Sequence, residues 1–280
     1  MTRLGIVYLV GAGPGDPELI TVRGLKCLQR AEILVYDRLA NAALIADAPA
    51  SAIRYNVGKS PGRLNLSQSA INNLLVREAR RGKTVVRLKG GDPFIFGRGG
   101  EECLALASAG LPYEVVPGIS SASAAPAYAG IPLTHRGMAR SVAFVIGHTC
   151  ELDATELDWD SVAHVDTLVI LMGVRNLPTI VQQLLQCGRA AKTPVAAVRW
   201  GTTNKQSLVT GTLETIVKRA RSLQPPAIIV VGEVVRLQPE LEWFPAISTA
   251  LEADSAFTAP TVDSLTKTYS TNNLIRMETH

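Results

Sequence analysis

The chain has 280 residues and a mass of 29.9 kDa, of which 47% are hydrophobic and 19% charged. That is room for one large core or two ordinary ones, which excludes a mini-protein held by staples, and no apolar run reaches the ~18–20 residues of a membrane helix. The formal net charge of +4 is unevenly spread: residues 1–150 hold 17 Lys+Arg against 10 Asp+Glu, residues 151–244 hold 9 against 10, and residues 245–280 hold 2 against 4. The basic surplus thus belongs to the first half, which asks what anion it faces. Cys27, Cys103, Cys150 and Cys187 stand singly with no C-x-x-C pair. Neither a zinc knuckle nor a disulfide framework is indicated, and reduced thiols in a cytoplasmic protein are expected.

Short apolar, β-branched runs alternate with amphipathic stretches over the first 240 residues, the pattern of a strand-helix-strand protein with a largely parallel sheet. Leu4–Val10 has the length of a signal h-region, but it runs into Gly11-Ala12-Gly13-Pro14-Gly15-Asp16 without a cleavage site, so Ile6–Val10 reads as the first strand. Asp16-Pro17 offers an N-cap and a proline for a first helix. A strand over Glu32–Tyr36 follows, and Ser67 caps a helix over Gln68–Arg81 that Gly82 ends. Next come a strand over Thr84–Leu88, a helix over Arg98–Ala109 closed by Gly110, and a strand over Tyr113–Val116. The small-residue segment Gly118–Pro132 leads to a polar break at Thr134-His135-Arg136-Gly137. Beyond it lie strands over Val142–Ile146 and Thr167–Leu171, a helix over Asn176–Cys187 closed by Gly188, and strands over Pro194–Val198, Ser207–Thr210 and Ala227–Val231.

The expected architecture is α/β, with two α/β lobes (1–135 and 136–244) carrying mixed, mostly parallel sheets and an active-site cleft between them. Of the last 36 residues 11 are Ser or Thr and no periodicity survives, so 245–280 read as a flexible tail, with an arm docked on the body or on a second subunit as the alternative.

Three segments carry ligand chemistry. Gly11-Ala12-Gly13-Pro14-Gly15-Asp16 joins a strand to a capped helix, where glycines permit close backbone approach and the helix N-terminus favours an anion. A plain tight turn is the bland reading. It is not the dinucleotide fingerprint, since Asp16 stands where the third glycine would be and would repel a pyrophosphate. Lys89-Gly90-Gly91-Asp92-Pro93-Phe94-Ile95-Phe96-Gly97-Arg98-Gly99-Gly100-Glu101-Glu102 follows a strand and packs five glycines around Asp, Arg and two Glu, as expected of a crevice at the carboxyl ends of an open sheet. Pro117-Gly118-Ile119-Ser120-Ser121-Ala122 combines a turn with small residues that suit either a ligand or tight helix-sheet packing.

Together these segments resemble the tetrapyrrole (corrin/porphyrin) methyltransferase family, the class III S-adenosylmethionine (SAM) methyltransferases. The resemblance spans roughly residues 5–244 and also rests on Val35-Tyr36-Asp37-Arg38-Leu39, Gly58-Lys59-Ser60, Val116-Pro117-Gly118-Ile119, the run from Ala127 to Arg136, Pro225-Pro226-Ala227 and Gly232-Glu233-Val234-Val235. It implies a two-lobed homodimer that binds SAM in the cleft, without a metal. Its implied reaction methylates uroporphyrinogen III at C2 and C7, giving precorrin-2 and S-adenosylhomocysteine on the way to sirohaem or cobalamin. The family's cofactor contacts fall on Pro14, Gly90, Gly91, Asp92, Ile95, Ser120, Ser121, Met172 and Gly201. The resemblance assigns Asp37 and Lys59 as proton acceptor and donor, and implicates Arg98, Glu101 and Arg136 in substrate binding and proton abstraction. Asp37 and Glu101 therefore compete for the base. The family commonly has Thr-Ala where this chain has Ser120-Ser121, and Asn176–Ala220 matches in outline only. At this length, the further dehydrogenase-ferrochelatase or synthase domain that some relatives carry is not expected.

An eight-carboxylate substrate suits the loop cations Arg38, Lys59, Arg63, Lys89, Arg98 and Arg136, with His135 as a propionate contact or a structural histidine. Arg77, Arg80, Arg81 and Lys83 instead complement a helix end and read as a solvated face. His148, His164 and His280 show no metal-ligand spacing, Met172 reads equally as core, and Trp159, Trp200 and Trp243 read as packing residues. The competing readings are a methylase of a later corrin precursor, a nicotinamide-dependent oxidoreductase, and an anion- or nucleic-acid-binding module. No basic-aromatic interleaving supports the last, so neither nucleic acid nor membrane is an expected partner.

Overall fold

In the computed structural model, residues 4–58, 66–147 and 157–244 are described. The apolar runs form two five-stranded sheets, and the described residues up to Trp243 gather into one compact unit. The first sheet comprises β1 (Ile6–Gly11), β2 (Ile33–Tyr36), β3 (Ile53–Asn56), β4 (Thr84–Lys89) and β5 (Tyr113–Val116) in the order β3-β2-β4-β1-β5. Every pairing in it is parallel, with Val10 beside both Leu88 and Val116. Both faces are covered, which is why β1 and β2 are apolar runs rather than alternating, while β4 is as deeply buried but carries Arg87 and Lys89. Helices α1 (Val22–Leu28) and α2 (Ala42–Ala46) close one face over Leu34, Val86 and Leu88. Helices α3 (Gln68–Arg80) and α4 (Gly99–Ser108) close the other over Leu9, Val35 and Val85.

The second sheet comprises β6 (Val142–Ile146), β7 (Thr167–Leu171), β8 (Pro194–Arg199), β9 (Ser207–Thr212) and β10 (Ala227–Val231) in the order β6-β7-β10-β8-β9. Here only β6 and β7 run parallel, and the other three pairings are antiparallel. The second sheet is thus mixed, as expected, with antiparallel pairings in the majority, while the two sheets together are mostly parallel. Direct return through the turn at 200–206, with no crossover helix, makes β8 and β9 antiparallel. Helix α5 (Ser121–Tyr128) follows the first sheet in sequence but packs on the second, where Ala122 and Ala125 lie against Val169, Val198 and Ile228. The opposite face is covered by α6 (Trp159–Ala163), α7 (Leu177–Gln186) and α8 (Ile216–Arg219).

Local signals acted as expected at most ends. Ser67 Oγ accepts from Ala70 N at 3.2 Å, and Gly82, Gly110 and Gly188 follow α3, α4 and α7 with positive φ. Two starts differ. Asp16 caps only a single turn at Pro17–Leu19, because Ile20 is extended, and Thr21 then caps α1 through Gly24 N at 3.0 Å. Arg98 is not helical but left-handed, with φ +57°, so α4 begins at Gly99. The expected tail (245–280), together with Lys59, Arg63, His148 and Cys150, lies outside the described residues.

Candidate active site

The carboxyl ends of β1, β4 and β5 release three loops side by side. Ala12 N donates to Lys89 O at 2.7 Å and Gly91 N to Gly13 O at 2.7 Å, so the first two loops pair as strands would. The third closes on both: a Cβ on Gly118 would stand 2.4 Å from Gly91 O and 2.7 Å from Gly11 Cα. Glycine is required there because main chain packs directly on main chain. Asp92 ties the junction, accepting from Phe94 N at 2.8 Å through Oδ1 and from Gly118 N at 3.0 Å through Oδ2.

A cavity of about 560 Å³ opens beside this junction, between residues of the first sheet's loops and the loops that follow β7 and β8. Pro14, Gly90, Gly91, Asp92 and Ile95 form part of its wall, Ser120 and Ser121 bring the start of α5, and Met172 and Gly201 come from the second sheet. The structure thus brings all nine expected cofactor contacts to one cavity. Gly91 has φ +67°, and the nearest atom a Cβ there would meet is Ser121 N at 3.7 Å, so that flank is open to a ligand. Ser120 Oγ accepts from Ala122 N at 3.2 Å, leaving the N-terminal end of α5 and its partial positive charge at the wall. The volume, the apolar wall and the few polar groups fit an adenosyl ligand of SAM's size.

Backbone strain gathers here. Five non-glycine residues, Phe96, Arg98, Met172, Trp200 and Thr202, have positive φ among the described residues. Phe96, Met172 and Trp200 line the cavity, and Arg98 and Thr202 adjoin its wall residues Gly97 and Gly201. Each such residue costs about 1–3 kcal/mol, a cost that recurs at ligand sites. Trp200, which reads as a packing residue in the sequence, is thus a wall residue, and Met172, 48% exposed, takes the place of the expected cofactor contact rather than of core.

Arg38 and Arg175 are the cations of that wall among the described residues. Beside it, under α3 and α4, lies an ionic cluster. Arg87 Nη2 donates to Asp37 Oδ1 at 2.7 Å, Arg87 Nε to Glu102 Oε1 at 3.0 Å, and Lys89 Nζ to the same Oε1 at 3.2 Å. Lys89 Nζ is also 3.1 Å from Glu102 Oε2, an ion pair without hydrogen-bond alignment, so Oε2 accepts no hydrogen bond. Arg87, Lys89 and Glu102 are at most 2% exposed, whereas the Asp37 side chain is 31% exposed. Burial opposes the Arg87 charge, but Asp37 and Glu102 outweigh it and hold the guanidinium above its usual value. Burial, with Arg87 adding, lowers Lys89. Lys89 is thus no substrate-facing cation, contrary to its reading as a loop residue.

Arg98 and Glu101 form an exposed bidentate pair at 2.6 and 2.7 Å, which holds the Glu101 carboxyl below the usual range. His135 and Arg136 are exposed on a turn in which His135 and Ala139 exchange backbone bonds. None of Asp37, Arg98, Glu101, His135 and Arg136 belongs to the cavity wall.

A tetrapyrrole (corrin/porphyrin) methylase family model matches residues 6–217. The chain belongs to the tetrapyrrole methylases. It is 54% identical over 235 residues to a protein of Priestia megaterium named uroporphyrinogen-III C-methyltransferase, covering 83% of this chain and 99% of that one. Over 244 residues it is 52% identical to a siroheme synthase of Azotobacter vinelandii, covering 86% of this chain but 52% of that protein. A crystal structure of uroporphyrin-III C-methyl transferase from Thermus thermophilus, complexed with S-adenyl homocysteine, superposes with a TM-score of 0.74 at 43% identity, covering 83% of this chain and all of that one.

In this tetrapyrrole methylase, the residues to which the sequence assigned no role include Arg175 on the wall and Arg87 and Glu102 in the cluster. Glu102 carried a signal: it sits three residues after Gly99 and four before Leu106, all buried on one stripe of α4, while Glu101 faces out. Arg77, Arg81 and Lys83 stand on a solvated face, as expected, and pair with carboxylates there. Arg77 and Arg81 pair with Glu78, which is buried, and Lys83 pairs with Glu32.

Proposed function

We propose that the chain is a SAM-dependent uroporphyrinogen-III C-methyltransferase. It methylates uroporphyrinogen III at C2 and C7 to give precorrin-2 and two S-adenosylhomocysteines, on the route to sirohaem or cobalamin. The reading is carried by the 54% identity to the P. megaterium enzyme over 99% of its length. The cavity that unites Pro14, Gly90, Gly91, Asp92, Ile95, Ser120, Ser121, Met172 and Gly201 supports it.

SAM, when bound, supplies a methyl group on a sulfonium that needs no further activation. What remains for the protein is orientation, worth up to ~7–11 kcal/mol when the reacting atoms are held in line. Gly90 and Gly91 offer bare backbone to the ligand, and Met172 and Gly201 close the opposite wall. Arg38 on the wall, and Arg98 and Arg136 outside it, bind substrate carboxylates, with Arg98 keeping its pair with Glu101; Arg63 and His135 complete this set. Methyl transfer leaves a cationic ring, and a base takes one proton to restore a neutral product. Asp37 is the better base: Arg98 occupies both oxygens of Glu101, whereas Arg87 occupies only Oδ1 of Asp37. Lys59 is its proton-donating counterpart.

The enzyme is a homodimer in the cytoplasm on this reading, as the family resemblance and the buried free thiols Cys27 and Cys103 support. Its lobes divide near residue 135, which the membership of the two sheets supports. Anaerobic incubation with SAM and uroporphyrinogen III, followed by absorbance and mass, is expected to yield a doubly methylated product. Absence of that product, with S-adenosylhomocysteine still bound, would refute the substrate and leave the methyl donor standing.

A further inference from the structure

We infer that Arg87 is a positioning residue for the proton-accepting carboxylate: clamped from beneath, it fixes Asp37 at the edge of the substrate site. The inference rests on the reading of Asp37 as the base. Arg87 lies on β4 and is 2% exposed, yet its guanidinium reaches three acceptors on different elements. Nε donates to Glu102 on α4 at 3.0 Å, Nη1 to Leu88 O at 3.2 Å, and Nη2 to Asp37 Oδ1 at 2.7 Å. With two ends of the fork held, the third cannot turn without breaking a charge-assisted bond in a buried setting. Glu102 is itself immobilised by Lys89 at 3.2 Å and by Gln68 Nε2 of α3 at 3.3 Å. The chain of contacts therefore runs from a helix pair, through a fully buried carboxylate and a buried guanidinium, to a carboxylate that solvent and substrate can reach.

Stability alone does not account for this arrangement. Buried ion clusters gain little over apolar packing, since desolvation offsets the attraction. Lys89 already neutralises Glu102, so the second buried cation is not needed to balance that carboxylate. What Arg87 adds is the bond to Asp37, whose side chain is 31% exposed. Among the described residues, no hydrogen bond reaches Asp37 Oδ2, so one oxygen is held and the other is left for a proton.

The test is a double-mutant cycle on the full chain, with kcat, KM, S-adenosylhomocysteine affinity and melting measured for each variant. Asp37→Asn is expected to lower kcat by about 10²–10⁴-fold. Arg87→Lys keeps the charge but not the three-point fork, and is expected to lower kcat by about 10²-fold, with KM and S-adenosylhomocysteine affinity unchanged. In the double variant Arg87→Lys should add nothing to Asp37→Asn, because the carboxylate it positions is gone. Multiplying effects, or an Arg87→Lys loss that appears in KM, would overturn the positioning role while leaving Asp37 as the base. Normal turnover by Asp37→Asn would instead remove the base reading, and the inference with it. Should Arg87→Lys not fold, Asp37→Glu at this half-exposed position decides: a clamped carboxylate cannot absorb the extra methylene and kcat falls by about 10²-fold, whereas wild-type turnover would overturn the inference.

Discussion

Replacing Gly91 and Gly118 with alanine, one at a time, separates a glycine that faces the ligand from one that serves packing. At Gly91 the added methyl meets nothing closer than Ser121 N at 3.7 Å, so the fold suffers only the left-handed backbone, φ +67°. That costs about 1–2 kcal/mol, or roughly 2–8 °C in Tm for a folded unit of this size. The methyl does, however, enter the space expected for the methyl donor. Overpacking of about 1–3 kcal/mol there weakens binding by about 5- to 150-fold. At Gly118 the methyl would be 2.4 Å from Gly91 O and 2.7 Å from Gly11 Cα, both main chain, with no side chain to yield. Gly118→Ala should therefore lose more stability than Gly91→Ala, about 3 kcal/mol or above. Scanning calorimetry and titration calorimetry with S-adenosylhomocysteine read the two effects independently. If Gly91→Ala binds that ligand like the wild type, the assignment of the open flank is wrong; if Gly118→Ala melts normally, the main-chain junction is.

Further outcomes follow from other contacts. Arg98→Ala is expected to lower kcat/KM for the tetrapyrrole by about 10- to 150-fold, the worth of one charge-assisted contact, while S-adenosylhomocysteine affinity holds in calorimetry. Normal turnover would misplace the substrate clamp. Arg189 donates to the carbonyls of Ala163, Val165 and Asp166 at 2.6–3.0 Å and to Val231 at 3.4 Å, so Arg189→Ala should lose about 1.5–3 kcal/mol of stability by denaturant titration, with KM unchanged. The carboxyls of Glu32, Glu101 and Glu114 are held below the usual range by Thr84 N with Lys83, by Arg98 and by Arg23 respectively. Each binds a proton less readily folded than unfolded, so its contribution is whole above the ordinary carboxylate range and fades as pH falls through the lowered values. Tm should drop on acidification below about pH 4.5, less steeply in Glu101→Gln, and a flat acid limb would contradict these assignments.

Much of the architecture was legible because β1, β2, β7 and β10 are buried on both faces and so appear as apolar runs, although β4, as deeply buried, is broken by Arg87 and Lys89. The strand that escaped notice, β3, is Ile53-Arg54-Tyr55-Asn56 at a sheet edge, with Ile53 54% exposed; no burial pattern marks it. Strand direction in the second sheet was hidden for another reason. It depends on whether a connection crosses over, and the turn at 200–206 carries no periodic signal either way. At the site, glycine density pointed to the right loops, since main-chain proximity leaves a compositional trace. The Arg87–Glu102 bond leaves no such compositional trace; only the helical phase of α4, which buries Glu102 with Gly99 and Leu106 and exposes Glu101, points to it. Trp200 was hidden likewise: nothing in the residue type announces a left-handed backbone.

The junction where Gly11, Gly91 and Gly118 meet bears on how such an enzyme can change over time. At Gly11 and Gly118 main chain packs on main chain, so neither position can take a side chain without parting the loops, whereas Gly91 lies open on the ligand's side. Novelty has to enter at the rim, where Arg38 and Arg175 project from separate loops. On the proposed reading, the acceptor's contacts can change there while the main-chain cradle for the methyl donor stays as it is.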